Sequence, residues 1–263
     1  MTGVEKLLGL PENARIRQRF TKKEIVGQYE GTATSDARLL AKTIASAAIV
    51  GVLRPETIGV AAFEHAERRV DFIPVLDVIL AEGTAPVDRS RVAELLHRSI
   101  PRPAIVALEV PGNEAVLSLA LTRLSKSDSG RETSVIEASL LTDLDRMDPG
   151  ALNVRRLNQA DLWALYRDLV RTAAADGHPA SAALTAYEAV ALRRRLATLT
   201  VELESVARNA KRERNQQRRV DFNAQGRALR TEIETVRSLL YAPGVGRVAK
   251  SPESPMTDEG RNT

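Results

Sequence analysis

The sequence predicts an α+β protein, in which an N-terminal α/β body with a mostly antiparallel sheet is followed by a C-terminal, coiled-coil-like helical hairpin. Short apolar segments separated by proline and glycine turns fill much of the first 150 residues, a pattern typical of strands. The stretch 180–241 has no proline and spaces its apolar residues in alternating steps of four and three, which is typical of packed helices. We therefore predict a body over 1–150, a helical region with an antiparallel arm over 151–241, and a disordered tail over 242–263.

The sequence predicts a mixture of helices and strands for the first half of the body. Ser35 is a candidate N-cap for a helix that reaches about Val50. Two strand candidates follow, over 57–63 and within 69–80, and a helix is expected over 88–99.

For the second half of the body, the sequence predicts a β-meander. Apolar segments over 104–110, 115–124 and 133–141 are separated by short turns. Neighbouring strands joined by short turns pair in antiparallel fashion, so these three segments predict consecutive strands of one sheet.

Two heptad seams define the arm. The first consists of Leu192, Leu196, Leu199, Leu203, Val206 and Ala210. The second consists of Phe222, Gly226, Leu229, Ile233, Val236 and Leu240. The register breaks between residues 211 and 217, so we expect a turn there and an antiparallel hairpin in which each seam packs on the other. The alternative is one helix of about 60 residues that pairs with another chain.

Positive charge is concentrated in this arm. Between residues 191 and 230 the chain has eleven basic and four acidic residues, so the net charge of this segment, +7, exceeds the +4 of the whole chain. Such a basic segment indicates an anionic partner, with the DNA or RNA backbone as the candidate. The predicted nucleic-acid-binding residues surround the register break: Arg208, Lys211, Arg212, Arg214, Arg218 and Arg219. Phe222 is the only ring nearby, so phosphate contacts are expected rather than base stacking.

The sequence lacks the residue patterns that metal binding, thiol chemistry and nucleotide hydrolysis require. The chain has no cysteine, and His65, His97 and His178 are too far apart in sequence for metal-ligand spacing. No glycine-rich phosphate loop precedes a helix. We therefore predict no catalytic residue, no metal and no cofactor. The absence of a signal peptide and of a membrane-spanning apolar run leads us to expect a cytoplasmic protein without membrane contact.

Four segments suggest a family. LLGLPENARIRQRFTKKEIV, LRPETIGV, IPRPAIVAL and KRERNQQRRVDFN occur in an order that resembles the bacterial domain-of-unknown-function 4391 family, and the likeness extends from Leu7 to Leu240. Members of that family have no settled activity and tend to be encoded beside DNA methyltransferases and helicases. The resemblance therefore implies a restriction-like or anti-phage setting and a helicase or methyltransferase partner.

Two functions follow as hypotheses. The first is a non-catalytic accessory subunit whose basic arm contacts nucleic acid or a protein partner. The alternative is a metal-dependent nuclease that uses Asp71, Asp77 and Glu109, which lie on or beside adjacent strand candidates. Convergence of these three carboxylates would favour the nuclease, and their separation would favour the accessory subunit.

Overall fold

A computed structural model describes residues 2–20, 34–126 and 132–243 of the chain. The predicted tail lies outside these residues, apart from its first two positions. The elements in chain order are α1 (Gly3–Leu8), β1 (Arg15–Phe20), α2 (Thr34–Thr43), β2 (Ile44–Leu53), α3 (Pro55–Ile58), β3 (Phe63–His65), β4 (Arg68–Val70), β5 (Ile73–Leu80), α4 (Pro86–Ser99), β6 (Ile105–Glu109), β7 (Val116–Lys126), β8 (Glu132–Asp143), α5 (Leu162–Ala174), α6 (Ala186–Arg212) and α7 (Gln216–Leu240).

The body is organised around one mixed sheet with the strand order β1-β2-β5-β6-β7-β8. Strands β5 and β6 pair in parallel because α4 carries the chain back across the sheet, and the other neighbours pair in antiparallel fashion. The predicted meander is confirmed as β6-β7-β8. The mostly antiparallel sheet followed by helices confirms the predicted α+β class.

Two element predictions are wrong. The helix expected to reach Val50 ends at Thr43, and the alanine-rich segment 44–53 is strand β2. Alanine favours helix locally, but β2 has hydrogen-bonded neighbours on both sides, and this pairing overrides the local preference. The sequence predicts a strand over 57–63, but residues 57 and 58 belong to the short helix α3, and β3 begins only at Phe63. Helix α3 has proline in its first turn and is capped at its C-terminus by Gly59, with φ 72°.

Each face of the sheet carries a separate apolar core. One face packs against α2 and α4, with Leu40, Val92 and Leu96 buried between the layers. The opposite face packs against α1 and α5, and its core continues along the facing seams of α6 and α7. The hairpin therefore shares one continuous core with the sheet. No helix in the described ranges combines the length and apolar character that a bilayer crossing requires.

Tyr166 of α5 fixes that helix on the sheet. Its side chain is fully buried, and its hydroxyl donates to the carbonyl of Ala104 at 2.9 Å and accepts from the amide of Ala120 at 3.0 Å. A buried hydroxyl is tolerated only when it is hydrogen-bonded, so these contacts restrict α5 to one position.

The arm is a hairpin, as the register break predicted. Helix α6 ends at Arg212, three residues form the turn, and α7 begins at Gln216. The seam is tightly packed near the body, where Leu199 and Leu240 are fully buried. Phe222 and Ala210, close to the turn, are only half-buried. Packing of the two helices therefore loosens toward the tip.

An ion pair anchors the base of the arm. Asp176 follows α5 in a left-handed conformation, with φ 52°, and its carboxylate accepts two hydrogen bonds of 2.5 Å from the Arg193 guanidinium of α6. Thr142 of β8 and the Tyr241 hydroxyl, at 3.3 and 3.5 Å, also contact this carboxylate. One side chain thus connects the sheet, α5 and both ends of the hairpin.

We predict that Asp176→Asn lowers the free energy of unfolding by about 1–3 kcal/mol, since it removes a partly buried, bidentate ion pair. Asparagine also tolerates the left-handed conformation, so the backbone is unchanged. The control is Glu232→Gln, which breaks the Arg195–Glu232 pair of the same arm and should cost much less, because both side chains of that pair are exposed to solvent. Urea unfolding measures both variants, and equal losses would contradict the anchoring role.

Candidate nucleic-acid interface

The structure brings all six predicted cations together at the tip of the arm. Arg208, Lys211 and Arg212 lie in the last turns of α6, and Arg214 lies in the connecting turn. Arg218 and Arg219 lie at the start of α7. All six side chains are exposed. Residues from both helices thus form one surface, which we call the basic tip.

The turn that creates this surface depends on Asn215. Its side-chain oxygen accepts a hydrogen bond from the amide of Arg218 at 3.1 Å and so caps α7. The amide of Asn215 donates to the Glu213 carboxylate at 2.8 Å. A turn is found here, as the register break predicted, although neither glycine nor proline is present, and the asparagine N-cap is the local signal that explains it.

The charges of the basic tip are poorly neutralised. Among the described residues, the only ion pair made by these six side chains joins Arg208 to Glu204 at 3.9 Å. Arg218 and Arg219 also lie at the positive end of the α7 dipole, where a cation destabilises a helix by about 0.3–1 kcal/mol. Their positions therefore do not favour folding, and an anion placed at the tip would be attracted to all six groups.

A groove opens between the two helices directly beside the basic tip, with a volume of about 380 Å³. It is lined by Leu203, Val206, Ala207, Ala210, Lys211, Arg219, Phe222, Asn223, Gly226 and Arg230. Gly226 occupies a seam position inside α7. A Cβ there would lie 3.8 Å from the side chains of Leu203 and Val206, an ordinary contact distance. Glycine costs about 0.5–1 kcal/mol relative to alanine within a helix, so packing does not explain its presence.

The three carboxylates of the nuclease hypothesis do not converge. Asp71 forms a bidentate ion pair with Arg102, with distances of 2.5 and 3.2 Å, and this contact lowers the pKa of Asp71. Asp77 and Glu109 lie on the parallel strands β5 and β6, where the negative charge of Glu109 acts on Asp77, and Asp71 precedes β5. Within the described ranges, no group of three His, Asp or Glu residues could hold a metal ion.

The histidines occupy unrelated positions. His97 is fully buried, with its Nε2 atom 3.0 Å from the Ser118 hydroxyl, and burial lowers its pKa to about 4. His65 stacks near Phe63 with ring centroids 6.5 Å apart, and His178 meets the Tyr241 ring edge-on at 6.1 Å. Only His97 is buried, and the three rings lie in different parts of the fold.

Asp77 is the one strongly perturbed carboxylate among these candidates. Burial, followed by the negative charges of Glu109 and Glu5, raises its pKa to about 6. Its Oδ1 atom is buried and has no hydrogen-bond partner among the described residues. The fold therefore makes the charged form of Asp77 less favourable than it is in the unfolded chain.

We predict that Asp77→Asn stabilises the protein at pH 7.5 by about 1–2 kcal/mol, after allowance for solvent screening. The folded pKa is raised, so the folded state binds more protons than the unfolded state between about pH 4 and pH 6. The wild type therefore gains stability from this group as the pH falls, and the advantage of the variant should disappear near pH 4.

The control for this prediction is Asp71→Asn, for which the sign is opposite. The folded pKa of Asp71 is lowered, so its charge contributes stability at pH 7.5 that is lost on acidification, and its removal should destabilise the protein. Denaturant unfolding at pH 4 and pH 7.5 measures both variants. A loss of stability in Asp77→Asn at pH 7.5 would show that its charge is stabilised by the fold.

Comparison with known proteins identifies the family. A family model described as Domain of unknown function (DUF4391) matches residues 8–233. No curated protein and no solved structure matches the chain. The matched residues include the central sheet, the base of the arm and the basic tip. Because this match covers most of the chain, as the sequence resemblance predicted, the protein belongs to the Domain of unknown function (DUF4391) family.

Proposed function

We propose that this protein is a non-catalytic accessory subunit whose basic tip contacts the phosphate backbone of DNA or RNA. The observation that carries the proposal is the basic tip itself, where six exposed cations come from two helices and the turn between them, and where, within the described part of the chain, only Arg208 forms an ion pair. Contacts to phosphate position a protein on nucleic acid without reading its sequence, so the proposed binding is indifferent to sequence.

The arm is suited to hold this surface at a distance from the body. The Arg194 guanidinium still donates to the Ser139 carbonyl of the sheet at 2.8 Å. From Arg195 to Arg212 the helix continues for about 25 Å, at 1.5 Å per residue. The body would serve as the docking module for a protein partner, and the arm would carry the cations to the nucleic acid.

The family resemblance suggests a setting for this activity. We place the protein in the cytoplasm, in a bacterial restriction-like or anti-phage system that includes a helicase or a DNA methyltransferase as partner. The nuclease alternative needs the carboxylates of Asp71, Asp77 and Glu109 to be free for a metal ion, and the Asp71 carboxylate is instead paired with Arg102. We therefore base the proposal on the arm.

The test replaces Arg212, Arg214, Arg218 and Arg219 together by glutamine. Glutamine keeps helix propensity, and none of these residues belongs to an apolar seam, so folding should be retained. Each arginine that touches a phosphate in the wild type should, once replaced, reduce the slope of log K against log salt by roughly 0.9 on duplex DNA. Fluorescence anisotropy with labelled duplexes of two unrelated sequences, over a range of salt concentrations, should show the same weakening for both.

A matched control replaces four exposed arginines of the body by glutamine: Arg17, Arg19, Arg155 and Arg156. This variant has the same net charge as the arm variant, but it should keep the slope and affinity of the wild type. The proposal fails if the wild-type protein shows no salt-dependent binding to DNA or RNA. It also fails if the control loses as much affinity as the arm variant.

A further inference from the structure

The groove beside the basic tip has the size of a small-ligand site. Its volume of about 380 Å³ lies at the lower end of the range for ligand pockets, about 300–1,000 Å³. Its floor is formed by apolar side chains from both helices, and its side is formed by the half-buried ring of Phe222. The groove is thus large enough for one or two flat ring systems.

The groove depends on Gly226. At most other positions of the two seams, leucine, isoleucine or valine fills the space between the helices. Glycine leaves that space open, although a methyl group would fit against Leu203 and Val206. Gly226 thus weakens the helix, although packing does not require a glycine at this position. Such a glycine is expected where a ligand approaches the backbone.

The polar groups of the groove suit an anionic ligand. Lys211, Arg219 and Arg230 surround it, and no carboxylate is among the lining residues. None of these three cations forms an ion pair among the described residues. Asn223 adds an amide that can both donate and accept hydrogen bonds. An aromatic face, an amide and several cations are the groups that proteins use to bind nucleotides in single strands.

We propose that this groove receives an unpaired base of single-stranded nucleic acid. The base lies against the Phe222 ring above Gly226, and the flanking phosphates contact Lys211, Arg219 and Arg230. The proposal rests on the function proposed above and narrows its substrate class from nucleic acid in general to single strands. A solitary ring such as Phe222 favours phosphate contacts over stacking when judged from sequence, but the structure places that ring at an open groove, where a single base can reach it.

An acidic amphipathic helix is the competing occupant. A stable protein interface buries roughly 800 Å² on each partner. From Arg219 to Arg230 the groove extends only about 16 Å along α7, at 1.5 Å per residue. These dimensions favour a short, flat ligand over a docked helix.

Two variants test the proposal. Phe222→Leu removes the ring and keeps an apolar side chain in the seam. Gly226→Ala fills the floor of the groove and should raise the thermal midpoint, because alanine is the better helix former. Circular dichroism checks the fold of both, so a loss of binding by the more stable Gly226→Ala protein cannot be attributed to unfolding.

The probes are a labelled 16-nucleotide oligo(dT), the corresponding oligo(rU) and a 16-base-pair duplex, measured by anisotropy at one salt concentration. We expect the wild type to bind at least one of the single strands about 10-fold more tightly than the duplex. Each variant should lower that affinity about 10-fold, in keeping with the loss of one stacked base. Duplex affinity and its salt dependence should remain at the wild-type level.

The outcomes separate the two proposals. Salt-dependent binding with equal affinity for single strands and duplex, unchanged in both variants, would overturn the groove proposal and leave the proposed function intact. The absence of salt-dependent binding to any probe would overturn both. A synthetic helical peptide of leucine and glutamate provides the last comparison. If its binding is abolished in Phe222→Leu while oligonucleotide binding is not, the groove is a peptide site and the proposal is wrong.

Discussion

The packing of α5 against one face of the sheet is the interaction on which the rest of the structure depends. Trp163, Tyr166 and Leu169 are buried there, and the Tyr166 hydroxyl is hydrogen-bonded to the backbone of Ala104, just before β6, and of Ala120 in β7. Burial of side chains of this size contributes about 1.5–3 kcal/mol each. Because α6 packs on α5, the position of α5 determines where the arm leaves the body.

Polar contacts then determine the direction of the arm. The Asp176–Arg193 pair fixes α6 and the end of α7 relative to the sheet. A second contact joins the Tyr187 hydroxyl of α6 to Glu137 of β8 at 2.5 Å, and the same carboxylate pairs with Arg68. The Arg68 guanidinium lies 4.4 Å from the centroid of the Trp163 ring. Apolar packing thus holds the arm on the body, and these directional contacts select one orientation.

Stability is unevenly distributed along the arm. Near the body, the seam residues Leu199 and Leu240 are fully buried, and Asp176 and Arg193 form a bidentate ion pair. Near the turn, Gly226 leaves space, Phe222 is half-buried, and Arg218 and Arg219 lie at the unfavourable end of a helix dipole. Local departures from good helix design tend to accumulate at functional sites, and this contrast is one reason for placing the proposed function at the tip.

The sequence by itself determined the α+β class, the meander over 104–141, the hairpin and the six cations of its tip. Each of these depends on local periodicity or on residues adjacent in the chain. Only the tertiary structure decided that the segment 44–53 is a strand, since that outcome depends on pairing with β1 and β5. The same holds for the ion pair of Asp71 with Arg102, the anchor at Asp176 and the groove at Gly226. Each of these features brings together residues that are far apart in the sequence. No local sequence pattern records the distances between such residues, because those distances are set only when the elements pack.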